Sequence, residues 1–183
     1  PLFAGAGDYS LAANSPCVDS GANQGWMAAG ADLDGKPRIL NAVADRGAYE
    51  LIPPSWDSNT NGMPDWWEWA YSHNMTGMAA RADNDGDDFV NLDEYYAGTI
   101  PTDFSSYLGL LAVQKAGAAT SMIVRWQSVA GKLYNVDRAA NLVENPAFTN
   151  IRASVLGQAG FTAITDATAS AEGPCFYRVG IGP

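Results

Sequence analysis

The sequence predicts a mainly β protein in which one short helical segment separates two β-rich parts. In residues 104–183, short apolar runs alternate with polar residues and are separated by Gly, Asn, Pro or Asp, a pattern typical of antiparallel strands. In residues 53–103, two brief helical patterns each follow a turn rich in Asp and Asn. Residues 1–52 combine short β-prone stretches with Gly- and Asp-rich turns, and the tandem Pro53-Pro54 ends them because proline cannot continue a ladder. We therefore expect three segments, 1–52, 53–103 and 104–183.

The net charge of −10 is concentrated in the middle of the chain. Residues 57–103 contain ten acidic residues and one basic residue, whereas residues 104–183 contain four acidic and six basic residues. This balance argues against nucleic acid as a partner. The sequence has no apolar run long enough to span a membrane. Few lysines among many Gly, Ala, Asn and aromatic residues favour a secreted protein, located outside the cell or at its surface.

The first segment carries four motifs in order: Tyr9-Ser10-Leu11, Ser15 to Gly21, Asp32 to Arg38, and Asp45 to Glu50. They resemble the closing rungs of right-handed parallel β-helices in large secreted bacterial proteins. The resemblance implies short strands, which we place at Cys17–Asp19 and Gly47–Ile52.

One β-helix coil cannot bury its apolar face without a neighbour. The segment is therefore expected to pack on preceding coils of a longer parent chain, on its own sandwich, or on another protomer. The last arrangement would build a homo-oligomer or filament by strand donation. Asp32 and Asp34 lie in a Gly-containing turn, which favours a turn over an ion site there.

The middle segment contains two twelve-residue loops, loop one at Asp57–Glu68 and loop two at Asp83–Glu94. Both loops place Asp, Asn or Glu at positions 1, 3, 5, 9 and 12, which is the spacing by which a chain wraps Ca2+ in oxygen ligands. We predict two Ca2+ sites. The predicted ligands are Asp57, Asn59, Asn61, the carbonyl of Met63, Asp65 and Glu68 in loop one, and Asp83, Asp85, Asp87, the carbonyl of Phe89, Asn91 and Glu94 in loop two.

Position 6 of such a loop requires a left-handed turn, which Gly62 supplies in loop one and Asp88 must adopt in loop two. Loop two offers four carboxylates and loop one three, so we expect loop two to bind Ca2+ more tightly. The competing interpretation is a pair of solvated acidic turns. Each loop should lead into a helix, Pro64–Tyr71 and Asn91–Ala97, the second ending at Gly98.

Pro-Asp-Trp-Trp-Glu in the first helix and Asn-Leu-Asp-Glu-Tyr in the second resemble EF-hand-like calcium repeats of the thrombospondin type 3 and dockerin kind. Dockerins that bind cohesins usually carry small hydroxyl residues at loop positions 10 and 11. Here these positions hold Trp66-Trp67 and Leu92-Asp93, which argues against a cohesin partner. Of the aromatic residues Trp66, Trp67, Trp69 and Tyr71, we expect some to pack on neighbouring domains and some to be exposed.

The third segment is predicted to form an antiparallel β-sandwich with Trp126, Tyr134 and Tyr177 in its core. The run from Val124 to Arg138 and the ending Phe176-Tyr177-Arg178-Val179 resemble fibronectin type III-like sandwiches. Six strands are one fewer than such sandwiches usually have, which allows a groove for a donated strand. The predicted strands are Leu110–Ala116, Ser121–Gln127, Leu133–Arg138, Phe148–Ala153, Gly160–Thr165 and Cys175–Ile181.

Three functions follow from these patterns. The first is a non-catalytic extracellular module, structural or adhesive, that calcium stabilises and that belongs to a larger surface protein or filament. The second is the C-terminal accessory region of a β-helix polysaccharide-degrading enzyme, which we rank low because the acidic pairs lie where calcium would bind. The third is a carbohydrate-binding module with glycan as its partner, using exposed tryptophans. We expect no enzymatic activity of this chain.

Four isolated residues complete the candidates. Cys17 and Cys175 could form a disulfide, but we favour free buried thiols. Asn74 begins a glycosylation acceptor triplet, a pattern that also arises by chance. His73 has no nucleophilic motif beside it, and we interpret it as a surface or capping residue.

Overall fold

The computed structural model describes residues 1–117, 121–169 and 174–182, and the fold is mainly β, as predicted. The chain forms two compact units, Pro1–Ala82 and Asp83–Pro183, so that loop one lies in the first unit and loop two in the second. Within the described residues, no helix has both the length and the apolarity that crossing a bilayer requires.

The first unit contains little regular structure. Strands β1 (Phe3–Gly5) and β2 (Asp8–Leu11) form an antiparallel hairpin. A 3-10 helix covers Gly25–Ala29, and helix α1 covers Asp65–Ser72. The prediction of strands at Cys17–Asp19 and Gly47–Ile52 is wrong, because both stretches form turns and bends.

In these turns, buried carboxylates accept the backbone N–H groups that a neighbouring strand would otherwise pair with. Asp45 accepts the backbone N–H of Asp19 through Oδ1 (2.7 Å) and that of Leu51 through Oδ2 (2.8 Å). Glu50 accepts the N–H of Asp45 (3.0 Å), and Asp32 accepts the N–H of Glu50 (2.8 Å). A backbone donor satisfied by a side chain needs no strand partner, so these residues do not pair as a ladder.

Two basic side chains neutralise this buried acidic group. Lys36 and Arg38 are 6% and 8% exposed. The Lys36 ammonium lies 3.1 Å from the buried Asp32 carboxylate and 2.7 Å from that of Asp34. Arg38 forms an ion pair with Glu50 and donates to the carbonyl oxygen of Asp45. The Asp32 turn is therefore a structural element, as the sequence favoured.

The second unit begins with helix α2 (Asn91–Ala97) and continues into six strands. Every strand predicted for residues 104–183 and both predicted helices are present, with ends shifted by up to three residues. The strands are β3 (Leu110–Lys115), β4 (Met122–Ser128), β5 (Leu133–Ala139), β6 (Thr149–Leu156), β7 (Gly160–Asp166) and β8 (Phe176–Ile181).

These strands form two antiparallel three-stranded sheets, with orders β3-β4-β7 and β6-β5-β8. Val124 and Trp126 of β4 pack against Tyr134 and Val136 of β5, and none of the four is more than 1% exposed. Tyr177 of β8 packs against this cluster and is partly buried. The predicted sandwich core is confirmed, because alternate residues of β4 and β5 face each other between the sheets.

A polar cluster joins the two sheets at one end of the core. Asp166 of β7 is 5% exposed and accepts from Arg138 Nη1 of β5 (2.6 Å) and from the Tyr177 hydroxyl of β8 (2.9 Å). The backbone N–H and the hydroxyl of Thr168 also donate to it, at 2.9 and 2.7 Å. Desolvation raises the pKa of Asp166, but these hydrogen bonds outweigh it and leave that pKa below its usual value.

Other single-residue predictions have mixed outcomes. Cys17 and Cys175 are free, as favoured, but only partly buried. His73 is exposed and ends α1 in a left-handed conformation, which confirms a capping role. Trp67 is 5% exposed and Trp66 43% exposed, so this aromatic group is divided as expected. Asn74 is exposed, and its glycosylation stays untested.

Candidate metal centres

Loop one and loop two follow the same backbone path. Position 4 is left-handed in both, at Thr60 (φ 54°) and Gly86 (φ 82°). Position 6 is also left-handed in both, at Gly62 (φ 91°) and Asp88 (φ 75°), which confirms the strained conformation predicted for Asp88. In each loop a helix starts at position 9, α1 at Asp65 and α2 at Asn91. Two left-handed residues per loop thus turn the chain at equivalent positions in loop one and loop two.

The position 1 carboxylate organises each loop through backbone donors. Asp57 accepts the N–H of Asn61 (3.0 Å) and that of Gly62 (2.8 Å). Asp83 accepts the N–H of Gly86 (2.7 Å) and that of Asp88 (2.9 Å). In both loops, therefore, the backbone N–H at position 6 donates to the carboxylate at position 1. Both carboxylates are thereby held in place with negative charge directed into the turn.

Positions 3 and 5 repeat a second hydrogen-bond pattern. In loop one the Asn61 side chain accepts the N–H of Met63 at 2.8 Å, and in loop two the Asp87 side chain accepts that of Phe89 at 2.9 Å. The position 3 side chains accept the N–H of position 5, at 3.1 Å in loop one and 3.2 Å in loop two. Each of these side chains uses one oxygen for the turn and so has a fixed orientation.

Loop two brings its acidic groups together. Asp83, Asp85 and Asp87 each place a carboxylate oxygen within 4.8 Å of the others, and no other such group of three occurs in the described ranges. Glu94 at position 12 is 1% exposed. One buried oxygen each of Asp85, Asp87 and Glu94 has no hydrogen-bond partner in the described chain. Three carboxylates therefore meet at loop two, which also contains the buried Glu94, and Asp85, Asp87 and Glu94 each have an oxygen left for a ligand.

The acidity of loop two reflects this crowding. Desolvation, together with the charges of Asp85 and Asp87, raises the pKa of Glu94 to about 7. Desolvation and the neighbouring Asp85 and Asp83 charges raise the pKa of Asp87 as well. Asp83 differs, because desolvation is outweighed by the backbone N–H donors of Gly86 and Asp88, which lower its pKa. The arrangement thus holds a concentration of negative charge that a cation would relieve.

Loop one is equally buried but differently arranged. Asp65 is 1% exposed and Glu68 is fully buried. Asp65 Oδ1 accepts the N–H of Ser58 at 2.8 Å, and its Oδ2 has no partner among the described residues. The Asn59 amide donates to both oxygens of Glu68, each at 3.4 Å. Desolvation raises the pKa of Glu68, opposed by hydrogen bonds from Met78 and Asn59.

In loop one the three carboxylates do not converge as those of loop two do, because no acidic triad of the described chain falls there. Asn59 would have to turn its amide oxygen inward to act as a ligand. Met63 is fully buried at position 7, and Phe89 at the same position of loop two stacks on Tyr107 with the ring centres 5.9 Å apart. Asn91 is fully buried at position 9 of loop two, with its amide donating to Asn84.

Residues outside the predicted ligand set support both loops. The Met78 N–H donates to Glu68 Oε1 (3.0 Å), and the Met78 carbonyl accepts the Asn61 amide (3.1 Å). In loop two the Thr99 hydroxyl donates to Glu94 Oε1 at 3.3 Å. These contacts come from the chain that follows each exiting helix. The twelve-residue spacing contains no signal for them, because the distance from the loop depends on the helix length.

Comparisons with models of known protein families, with curated proteins and with solved structures find no match.

Proposed function

We propose that the chain is a non-catalytic, extracellular structural module that binds one Ca2+ in each of its two loops. The observation that carries this proposal is the pair of equivalent loops with buried acidic groups. Asp65, Glu68 and Glu94 are at most 1% exposed, and among the described residues no Lys or Arg lies within 4.0 Å of a loop carboxylate. Burying an ionised carboxylate without a counter-charge is costly, so a cation bound by these loops would stabilise the fold.

The chemistry of the donors selects the cation. The loop ligands are carboxylate, amide and carbonyl oxygens, which suit hard cations rather than zinc or copper. Ca2+ accepts six to eight oxygens in flexible geometry, whereas Mg2+ demands a near-ideal octahedron and retains several waters. A loop that presents six ligand positions from one continuous stretch of chain fits Ca2+ better.

Each loop would supply six ligands, from positions 1, 3, 5, 7, 9 and 12. Loop one spans Asp57 to Glu68 and loop two spans Asp83 to Glu94. Loop two is expected to bind more tightly, because its carboxylate oxygens already converge and Asp85, Asp87 and Glu94 each have a free oxygen. Loop one requires Asn59 to release Glu68 first. Weak sites of this kind fill at the millimolar calcium found outside cells, which is why we place the module there.

Calorimetric titration of the calcium-stripped chain with CaCl2 tests the proposal. The wild type is expected to bind two Ca2+. Asp87→Asn removes one carboxylate of loop two and should weaken one site by about tenfold, equal to about 1.4 kcal/mol. Asp93→Asn is the matched control, because Asp93 is exposed in α2 at a position that provides no ligand.

Thermal unfolding gives an independent measurement. At a free calcium concentration about 100 times the dissociation constant, binding to the folded state adds about 2.7 kcal/mol to the free energy of unfolding. The proposal is overturned if millimolar calcium gives no heat of binding in the titration and no change in the free energy of unfolding. It is also overturned if Asp93→Asn weakens calcium binding as much as Asp87→Asn does.

We infer a structural rather than a catalytic role because the acidic residues of the two loops lie where calcium would bind, and Asp32 and Glu50 are paired with Lys36 and Arg38. Carboxylates that hold a calcium ion are not available as general acid and base. Incubation of the calcium-loaded chain with acidic and neutral polysaccharides is expected to release no reducing sugar or unsaturated product. Cleavage that exceeds a no-protein control would refute this inference.

A further inference from the structure

Strand β8 forms an open edge of the sandwich in the second unit. It is the last strand of the sheet β6-β5-β8, and β3 is the last strand of the sheet β3-β4-β7. A cleft of about 360 Å3 lies where these two edges approach each other, lined by Leu108 and Leu110 on one side and by Tyr177 and Val179 on the other. Within the described part of the chain, no strand pairs with β8 on this side of the second sheet.

Two apolar residues of β3, of which Leu110 lines this cleft, are incompletely covered. Leu110 pairs in register with Trp126, and Val113 pairs with Val124, so both point toward the core side of their sheet. Trp126 and Val124 are fully buried, whereas Leu110 is 44% exposed and Val113 is 40% exposed. Core-facing residues with this exposure indicate that the facing sheet, β6-β5-β8, does not extend far enough to cover β3.

The free backbone groups of β8 can be assigned from the ladder. The Gly182 N–H donates to the Leu133 carbonyl at 2.7 Å, and the register continues with Val179 opposite Val136. In an antiparallel ladder the hydrogen-bonded residues alternate. The N–H and C=O groups of Tyr177, Val179 and Ile181 therefore point away from β5, toward the open edge.

We propose that this edge pairs with β8 of a second copy of the chain, in an antiparallel two-fold dimer centred on Val179. In that register Val179 of each copy faces the other, and Tyr177 faces Ile181. These are the residues whose outward backbone groups are available, so the ladder forms without a shift. Two-fold symmetry requires such a self-complementary strand.

The side chains of β8 fit the same register. Arg178 of one copy faces Gly180 of the other, in a close pair with the Cα atoms about 4.5 Å apart. No atom lies within 4 Å of the position that a Gly180 Cβ would occupy, so the space above Gly180 is open to that Arg178. Arg178 thus avoids a like charge opposite itself. Its Nη2 lies 2.6 Å from the Asp137 carboxylate, and because its side chain is 60% exposed, its charge can still act on a residue placed opposite.

The apolar face completes the argument for a second copy. Tyr177, Val179 and Ile181 pack on the core side of their own sheet. The same three residues from the second copy would lie on that side, beneath the exposed Leu110 and Val113. Pairing thus satisfies the free backbone groups and covers the uncovered apolar surface together.

Charges placed at Gly180 test this register. Gly180→Glu puts a carboxylate opposite Arg178 of the other copy, and Gly180→Lys puts an ammonium there. Each pair occurs twice in the dimer, so the dimer dissociation constant should fall about fivefold with Glu and rise about fivefold with Lys. Gly180 has ordinary strand geometry with open space around it, so both variants should fold. Gly47→Glu and Gly47→Lys are the matched controls, because Gly47 also has open space and lies in the other unit.

Sedimentation velocity of the full chain over a range of concentrations, with calcium present, measures these constants. Hydrogen exchange at the amide of Val179 provides the second measurement, with protection expected in the dimer and lost on dilution. A chain that stays monomeric at millimolar concentration overturns the proposal. So does a dimer whose dissociation constant responds equally to the Gly180 and Gly47 variants, because it would use another surface.

Discussion

Replacing Asp166 with Asn removes the charge that joins the two sheets of the sandwich. Asp166 lies on β7 and accepts hydrogen bonds from Arg138 on β5 and Tyr177 on β8. Asp166→Asn keeps the size of the side chain and one acceptor oxygen. It leaves the Arg138 guanidinium without its acidic partner, and Arg138 is only 23% exposed in its side chain.

The magnitude follows from the burial of this pair. Removing one partner of a fully buried ion pair costs about 3–5 kcal/mol, because the other charge is left uncompensated. Arg138 can still reach water, and Asn can still accept a hydrogen bond, so we expect a loss of about 2 kcal/mol. The matched control is Asp137→Asn on the same sandwich. The partner of Asp137 is Arg178, whose side chain is 60% exposed, so that variant should lose less than about 1 kcal/mol.

The sign of the pH dependence provides a second criterion. The folded pKa of Asp166 is depressed. The group therefore contributes stability above the unfolded pKa of about 3.9, and that contribution disappears as the pH falls through the lower folded pKa. The stability difference between wild type and Asp166→Asn should thus be constant near neutrality and should decrease in acid below about pH 4.

Urea unfolding followed by 19F NMR of 5-fluorotryptophan-labelled chain isolates the second unit. Trp126 is the one tryptophan of that unit, among six in the sequence, so its signal reports the sandwich alone. The reasoning is refuted if Asp166→Asn costs no more than Asp137→Asn, or if the difference between wild type and Asp166→Asn grows in acid.

Two further predictions concern buried charge and backbone strain. Arg38→Met leaves Glu50 buried without its ion pair and should lower the free energy of unfolding of the first unit by about 3 kcal/mol in the same 19F assay. The control Arg46→Met, at an exposed position, should cost under about 1 kcal/mol. Equal losses in the two variants would contradict the role of burial. Asp88→Gly removes the backbone strain of a left-handed residue at φ 75° and should raise the free energy of unfolding of the calcium-free second unit by about 1 kcal/mol, measured in urea. A loss of stability in this variant would show that Asp88 is not strained.

The strands of the sandwich could be predicted because short, continuous stretches of sequence determine them. Alternation between inward and outward residues fixes β4 and β5, and Gly131 and Gly160 mark turns with left-handed backbone. The loops were predictable for a similar reason, since twelve consecutive residues specify positions 1 to 12. Even the left-handed turn at Asp88 follows from that spacing.

The first fifty residues were less predictable because distant side chains determine their conformation. The stretch at Cys17–Asp19 contains β-prone residues, yet the N–H of Asp19 bonds to the Asp45 carboxylate, 26 positions along the chain. No periodicity in the sequence reveals that a carboxylate replaces a strand. The contact of Met78 with Glu68 is missed for the same reason, because it depends on how α1 ends.

The acidic turns of residues 17–52 and the two twelve-residue loops both use carboxylates to hold backbone N–H groups, but they differ in the positive charge nearby. In the turns of residues 17–52, the buried carboxylates of Asp32, Asp45 and Glu50 hold backbone N–H groups, and Lys36 and Arg38 of the chain itself neutralise them. In loop one and loop two, carboxylates also hold backbone N–H groups, those of Asp57 and Asp65 in one and those of Asp83 and Asp87 in the other. No described Lys or Arg approaches a loop carboxylate within 4.0 Å. Because the fold supplies internal cations at the first cluster and none in the described residues at the two loops, we propose that the loops take the missing positive charge from solution. Under this proposal the repeated turns of the two loops would give that charge a place to bind, and their oxygen donors would favour calcium.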